Sequence, residues 1–250
     1  MSVAKEQREK LIWEFPNIGK KAPEQEEKAF AYCEGYKEFL NVAKTEREFV
    51  REAVLRLKEA GYEEFEEGKI YQPGDKVYQI NRKKALLMST FGKRPLEDGV
   101  RINVAHIDSP RLDLKPNPLY EKAEAAYFKT HYYGGIRKYQ WATIPLAMHG
   151  VVILKDGTSM DICIGEKEGD PVFCVTDLLP HLAEQQNERK LKDGIKGEEL
   201  NIIVGSLPYP CEEEDSIKEP VKLLALSILN ERFGMTEKDF LRAEIEFVPA

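Results

Sequence analysis

The chain has 250 residues, of which 42% are hydrophobic and 32% charged, and its net charge at pH 7 is -7. That length suffices for one large domain or two of ordinary size. The acidic balance argues against nucleic acid as a partner, because proteins that bind it usually present a basic face. No apolar run approaches the roughly 20 residues that span a bilayer, so no membrane partner is expected. The first residues lack the apolar core of a signal peptide, which favours a cytoplasmic location.

Helical patterns dominate the first part of the chain. A short helix is predicted over residues 5–12, and a longer one from Pro23 to about Ala43, with proline and acidic residues at its start. Thr45 and Glu48 have the spacing of a capping box, which predicts a third helix running to about Ala60. Gly61 is suited to end that helix, because glycine readily adopts the left-handed conformation of a C-terminal cap.

Three strands are predicted next. Lys76–Asn81 follows a Pro-Gly-Asp turn, and Ala85–Phe91 is apolar enough for a buried strand. Alternating valine and isoleucine predict a third strand, Val100–His106, and Pro110 stops further pairing because it has no N–H to donate. Helices followed by buried strands indicate an α/β layer arrangement.

His106 and Asp108 stand at the end of the third predicted strand. Their spacing of two residues points both side chains to the same face of a strand, and ligands gather at the carboxyl ends of strands in open α/β sheets. An imidazole can bind a metal ion, and a carboxylate beside it can hold the ring in one orientation. The pair therefore predicts the start of a site; the alternative is a surface His-Asp pair at a turn.

The stretch after Pro110 favours strands. Arg111–Leu114 and the prolines that follow predict an extended exit from the first domain. An Asp-Gly turn at Asp156-Gly157 predicts a hairpin whose return strand is Met160–Ile164. The remaining predicted elements are strands over Ala126–Tyr133, Tyr139–Leu154, Leu200–Val204 and Ala243–Val248, and helices over Asp177–Leu191 and Val221–Phe233.

These elements predict a domain interrupted by an insertion. Residues 1–112 are interpreted as the N-terminal part of an α/β domain, residues 113–242 as a β-rich insertion, and residues 243–250 as a strand that re-enters the first domain. Because such a strand would lack its neighbours, we expect exposed apolar surface around Ala243–Ala250 and self-association.

Four ordered segments resemble the aspartyl aminopeptidase / aminopeptidase I family of zinc metallopeptidases. His106–Leu112, followed by Leu114-Lys115-Pro116, is similar to the family's HTDSP…L…KP segment. Tyr133-Gly134-Gly135 resembles its YGG run, with Trp141 near an expected tryptophan, and Pro180–Ala183 resembles its PHLA motif. Glu244–Pro249 is similar to the strand by which the family's chain returns to the catalytic domain.

The resemblance implies an α/β catalytic domain that carries two divalent metal ions, usually zinc, and an inserted dimerisation domain. It implies large homo-oligomers, typically dodecamers, that remove N-terminal residues from peptides. By this resemblance His106 is a metal ligand and Asp108 is the carboxylate beside it. His181 is then the histidine that the insertion lends to a partner subunit, where it stabilises the tetrahedral intermediate. A water held between two divalent ions is a good nucleophile near neutral pH.

Two departures from the family pattern matter. The family's other metal ligands and its glutamate base correspond to sequence beyond residue 250, and one histidine cannot hold two ions. The alternative function is therefore a non-catalytic assembly protein that keeps the insertion and a relic His-x-Asp. The run Ile136–Leu146 also lacks the Trp and Asp-Arg-Asp pattern of acid-specific members, although Arg137, Lys138 and Lys129 could recognise an acidic side chain.

Three further candidates are interpreted as structural. His131 lies within a predicted strand and His149 matches no motif, so neither is expected to bind a metal. The acidic run Glu212–Asp215 is expected to be a solvated loop, because carboxylates without fixed spacing bind metals weakly.

Overall fold

The computed structural model describes residues 3–13, 15, 17, 19, 22–210 and 217–250, so the predicted loop Glu212–Asp215 lies outside the described residues. The chain divides into two compact units, Met1–Pro95 and Leu96–Ala250. The fold is mixed α/β, with three helices and a small sheet described in the first unit and a large sheet in the second. Within the described ranges, no helix combines the length and the apolar character needed to cross a membrane.

The helices of the first unit are α1 (Val3–Leu11), α2 (Pro23–Val42) and α3 (Glu46–Glu59). The capping box is present: the Glu48 N–H donates to the Thr45 hydroxyl over 3.3 Å, and the Thr45 N–H donates to the Glu48 carboxylate over 3.1 Å. Beyond the other end of α3, Gly61 has a φ of 81°, which glycine adopts without steric cost. The three predicted helices are confirmed.

The sheet of the first unit contains β1 (Glu63–Glu64), β2 (Lys76–Asn81) and β3 (Ala85–Thr90), with β1 parallel and β3 antiparallel to β2. The two longer strands are confirmed, but the predicted burial of the second is wrong. Leu87 and Met88 are 65% and 62% exposed. In the described residues β3 pairs only with β2, and α3 contacts it without covering Leu87 and Met88.

The second unit is organised around a seven-stranded sheet with the order β7-β6-β10-β4-β5-β9-β8. All of its strand pairs are antiparallel. Its strands are β4 (Arg111–Lys122), β5 (Ala125–Tyr133), β6 (Leu146–Ile153), β7 (Ser159–Ile164), β8 (Cys174–Val175), β9 (Ile202–Gly205) and β10 (Ala243–Pro249).

Strand β4 runs through the two prolines that the sequence predicted to break it. The register between β4 and β5 shifts between Leu114 and Leu119, and Pro116 and Pro118 fall inside that shift. Proline cannot donate to a ladder, and a bulge accommodates it without ending the strand. The predicted exit from the first domain is thus the start of a long strand of the second unit.

Strand β10 lies in the middle of this sheet, between β6 and β4. The structure therefore differs from the predicted return of this strand to the first domain, and the observed division falls after Pro95. The predicted apolar exposure is wrong, because Ile245, Phe247 and Val248 are buried with a paired strand on each side.

One long helix, α5 (Pro220–Phe233), packs on this sheet. It buries Val221, Ala225 and Leu229, and Gly234 ends it with a φ of 68°, so the predicted helix is confirmed. The core beneath it includes Leu112, Phe128, Leu146, Met148, Val152, Phe247 and Met235.

The helix predicted over Asp177–Leu191 is wrong. Only the short α4 (Glu184–Asn187) forms there, preceded by a 3-10 turn at Pro180–Leu182. Of the predicted apolar face, Ala183 is buried but Leu178, Leu179 and Leu182 are exposed, so most of that face does not pack against the core.

The strand predicted over Val100–His106 is also wrong. Residues 99–110 are irregular, and Val100, Ile102 and Val104 are 62%, 74% and 89% exposed. A strand needs a paired neighbour to satisfy its backbone groups, and none of the described strands pairs with this segment. His106 therefore lies on an irregular segment that leads into β4.

Candidate functional site

The predicted pair, His106 and Asp108, lies just before β4 in the second unit. The turn that follows β5 approaches this segment closely: a side chain at Gly134 would come within 3.5 Å of Pro110, and Gly134 has a φ of 79°. The positive φ would strain a residue with a Cβ, so the glycine of the Tyr-Gly-Gly run permits this turn, while the distance to Pro110 is that of ordinary van der Waals contact. The end of β5 thus forms one wall beside the pair.

The structure brings His106 and Asp108 together. Nδ1 of His106 lies 3.4 Å from Oδ1 of Asp108 and 3.1 Å from the Asp108 carbonyl oxygen. Both neighbours are acceptors, which favours the tautomer with hydrogen on Nδ1 and leaves a lone pair on Nε2. The His106 side chain is 87% exposed, so this second nitrogen is available to a metal ion.

Tyr133 holds the other side of the Asp108 carboxylate. Its hydroxyl donates to Oδ2 over 2.5 Å. This hydrogen bond is the largest cause that keeps the pKa of Asp108 below its usual value, and together with smaller effects of the Asp108 backbone, His106 and Arg111 it outweighs the opposing effect of burial. The carboxylate is therefore ionised at neutral pH, as a group that orients an imidazole must be.

Arg111 supports Tyr133 from the neighbouring strand. The two residues are paired in the β4–β5 register, and the guanidinium lies 4.1 Å from the centre of the Tyr133 ring. Its Nε lies 2.8 Å from Oδ1 of Asp113 and 3.5 Å from Oε2 of Glu246 on β10. Arg111 and Glu246 are buried. Tyr133 and Arg111 both stand inside motif segments, but nothing in the sequence near them indicated their contact across the sheet.

His181 lies in the 3-10 turn Pro180–Leu182 and is exposed. No hydrogen bond or ion pair joins it to His106 or Asp108 in the part of the chain that the structure describes. Its predicted role in a partner subunit remains a prediction.

The two histidines interpreted as structural have ordinary surroundings. His131 stacks on the Tyr132 ring, with 5.5 Å between ring centres. His149 is buried in β6, with Nε2 2.8 Å from Oε1 of Glu166.

The three basic side chains predicted to recognise an acidic residue do not all lie in one place. Arg137 and Lys138 line a cavity of about 340 Å³ together with Lys192. The amine of Lys129 instead lies over the Tyr120 ring, 5.2 Å from its centre.

The described residues contain only part of a metal-binding site. Among the described residues no three His, Cys, Asp or Glu side chains cluster in a way that could hold a metal ion. His106 fits one position of such a site, because Nε2 is exposed and Asp108 faces Nδ1. The described residues thus supply one ligand and the carboxylate that orients it.

Comparison with known proteins extends this picture. The sequence profile of the aminopeptidase I zinc metalloproteases (M18) matches residues 39–250. A probable M18 family aminopeptidase 1 of Clostridium acetobutylicum is 48% identical over 245 residues, which cover 96% of this chain and 52% of the relative. The chain spans about half the length of the curated relatives it matches.

Solved structures of M18 family proteins have the same fold. The crystal structure of an M18 family aminopeptidase from Thermotoga maritima superposes with a TM-score of 0.85 at 45% identity, covering 95% of this chain and 51% of that one. The mApe1 dodecamer of S. cerevisiae shares the fold at a TM-score of 0.60 and 17% identity, over 88% of this chain and 48% of that one. This chain belongs to the M18 family of aminopeptidase I zinc metalloproteases.

Proposed function

We propose that this chain forms part of a zinc-dependent aminopeptidase that removes N-terminal residues from peptides. The observation that carries the proposal is the His106–Asp108 pair, in which an exposed imidazole is oriented by an ionised carboxylate within a chain of the M18 family. The site is proposed to hold two divalent ions, with His106 as one ligand. The alternative of a non-catalytic assembly protein is not favoured by relatives that are named aminopeptidases.

The described residues have separate tasks in this mechanism. The bound ions supply Lewis-acid activation of a water molecule and of the scissile carbonyl. Nε2 of His106 faces solvent as a ligand, while Asp108 fixes the ring and keeps hydrogen on Nδ1. His181 is proposed to donate a hydrogen bond to the oxyanion in the active site of a partner subunit, a task that its exposed position permits.

The proposed assembly is a homo-oligomer, supported by the shared fold with a structure described as a dodecamer. The proposed location is the cytoplasm, supported by the free thiols of Cys33 and Cys174. Acidic N-terminal residues belong among the proposed substrates, because Arg137 and Lys138 line one cavity beside Lys192.

The test is metal analysis and peptide hydrolysis with the natural holoenzyme that contains this chain. We expect zinc in the purified protein, loss of peptide hydrolysis after chelation, and recovery on adding zinc. His106→Ala should lower kcat/KM at least about 100-fold, since a metal ligand matters at least as much as the groups that orient it. The matched control His131→Ala removes an imidazole that stacks on Tyr132 and should have little effect. If the natural protein purifies in its assembled form without metal, and releases no amino acid from peptides even after zinc is added, the proposal is overturned.

A further inference from the structure

We infer that Tyr133 is a positioning residue of this site, which fixes the Asp108 carboxylate and through it the orientation of the His106 ring. The inference rests on the proposed function, because it assigns a task within the same site. Tyr133 acts on the His106 ring through Asp108, whose Oδ2 accepts a hydrogen bond from its hydroxyl.

The two oxygens of Asp108 have different partners. Oδ2 accepts from the Tyr133 hydroxyl, and Oδ1 faces Nδ1 of His106 at 3.4 Å. A carboxylate held at only one oxygen can rotate about its bond to Cβ. The Tyr133 hydrogen bond removes that freedom and keeps Oδ1 directed at the imidazole.

The segment that carries the pair has little else to hold it. Residues 99–110 are irregular, so His106 and Asp108 have no ladder hydrogen bonds to fix their backbone. Tyr133, in contrast, lies at the end of β5 and pairs with Arg111 of β4 in the seven-stranded sheet. The hydroxyl of Tyr133 therefore connects an irregular segment to the edge of a paired strand.

The ring of Tyr133 is itself held. The Arg111 guanidinium lies 4.1 Å from the ring centre, and two carboxylates, those of Asp113 and Glu246, lie within 3.5 Å of its Nε. Arg111 and Glu246 are buried, which limits their side-chain freedom. A cation placed over a tyrosine ring attracts it electrostatically, so the position of Arg111 in the sheet determines that of the hydroxyl.

The variant Tyr133→Phe tests this inference, because it removes the hydroxyl and keeps the ring under Arg111. Tyr127→Phe is the matched control: it removes a hydroxyl from the same strand, and the Tyr127 ring stacks on that of Tyr120, away from Asp108. The first readout is the tautomer of His106 in the metal-free protein, measured from the nitrogen chemical shifts of its ring. We expect hydrogen on Nδ1 in the wild type and in Tyr127→Phe, and a mixture of tautomers in Tyr133→Phe.

The second readout uses the holoenzyme. For Tyr133→Phe we expect zinc to bind about tenfold more weakly in competition with a chelator, and kcat to fall about tenfold, in line with the cost of losing groups that orient a ligand. KM and the unfolding midpoint of the metal-free protein should match those of Tyr127→Phe. A purely structural role would shift that midpoint and leave the tautomer unchanged.

The outcomes separate the inference from the proposed function. If Tyr133→Phe has the same His106 tautomer and zinc affinity as Tyr127→Phe, the inference is overturned while the function stands. If the wild-type holoenzyme binds no zinc and hydrolyses no peptide, the function is overturned, and the tautomer measurement still decides whether Tyr133 orients His106.

Discussion

Two stretches of the second unit have the same alternating apolar pattern and opposite surroundings. Val100, Ile102 and Val104 alternate with other residues and are exposed, whereas Ile245 and Phe247 of β10 alternate with glutamates and are 3% and 0% exposed. The difference lies in their neighbours: β10 pairs with β6 and β4, and no described strand pairs with residues 100–104. Alternation thus predicts which side chains share a face, while burial depends on partners distant in sequence.

The largest expected loss of stability comes from truncating a buried side chain of β10. Phe247→Ala should lower the free energy of unfolding of the second unit by about 3–5 kcal/mol, because the ring is fully buried and lies 5.2 Å from the Phe173 ring, centre to centre. Ile102→Ala should change it by less than about 0.5 kcal/mol, since the side chain is 74% exposed.

Both changes can be measured by urea unfolding in a Trp13→Phe background. Trp141 is then the remaining tryptophan of the chain, and it is buried in the second unit. Equal losses for Phe247→Ala and Ile102→Ala would show that the two stretches have similar surroundings in solution, contrary to the structure.

A smaller effect should come from the strand beside β10. Gly150 on β6 pairs with Ile245, and a Cβ there would overlap the carbonyl oxygen of Glu244. Gly150→Ala should therefore cost about 2–3 kcal/mol of unfolding free energy, the cost of overpacking. The control is Gly205→Ala on β9, where a Cβ meets open space and stability should stay equal or rise by up to about 1 kcal/mol. A neutral Gly150→Ala would mean that β6 and β10 are not closely paired.

The smallest of the three effects tests the turn that leads into β10. Burial raises the pKa of Asp239, but hydrogen bonds from Thr236 and Arg242 outweigh it and hold that pKa below its usual value. A depressed pKa stabilises the fold where the group is ionised. Asp239→Asn should thus cost about 1–2 kcal/mol above pH 5, and the difference from wild type should shrink as the pH falls from the usual value of 3.8 through the depressed pKa of the folded protein.

The control for that turn is Glu237→Gln. Glu237 is half-exposed and pairs with Lys222 over 2.7 Å, and exposed ion pairs contribute under about 1 kcal/mol. The measurement is unfolding free energy between pH 2.5 and 7. A difference between wild type and Asp239→Asn that is the same at pH 2.5 as at pH 7 would contradict the role of the ionised carboxylate.

The sequence predicted local features of the fold well. The bounds of β2, the capping box at Thr45 and the hairpin around Asp156-Gly157 follow from residues a few positions apart. The helix over Asp177–Leu191 and the strand over Val100–His106 were wrong, because each needed a packing or pairing partner that the structure does not place there. Pattern alone cannot supply such partners.

In the candidate site, too, contacts between residues near each other in the chain were predicted and contacts between distant residues were not. His106 and Asp108 are two residues apart, and their proximity was predicted from that spacing, although the strand on which the prediction placed them does not form. The contact of Asp108 with Tyr133 depends on the turn after β5, and the support from Arg111 depends on the β4–β5 register. Sequence reasoning found the functional side chains near each other in the chain and missed those that reach the site through the sheet.

The central place of β10 has a consequence for how the unit folds. Its partner β4 is synthesised more than half a chain length earlier, and β6 also precedes it. Until β10 emerges from the ribosome, β4 and β6 each present an unpaired edge with apolar side chains between them. Contacts between such distant residues form slowly, and open edges invite pairing with other chains. Expression should therefore be sensitive to chaperone supply during synthesis, more than the stability of the finished sheet would suggest.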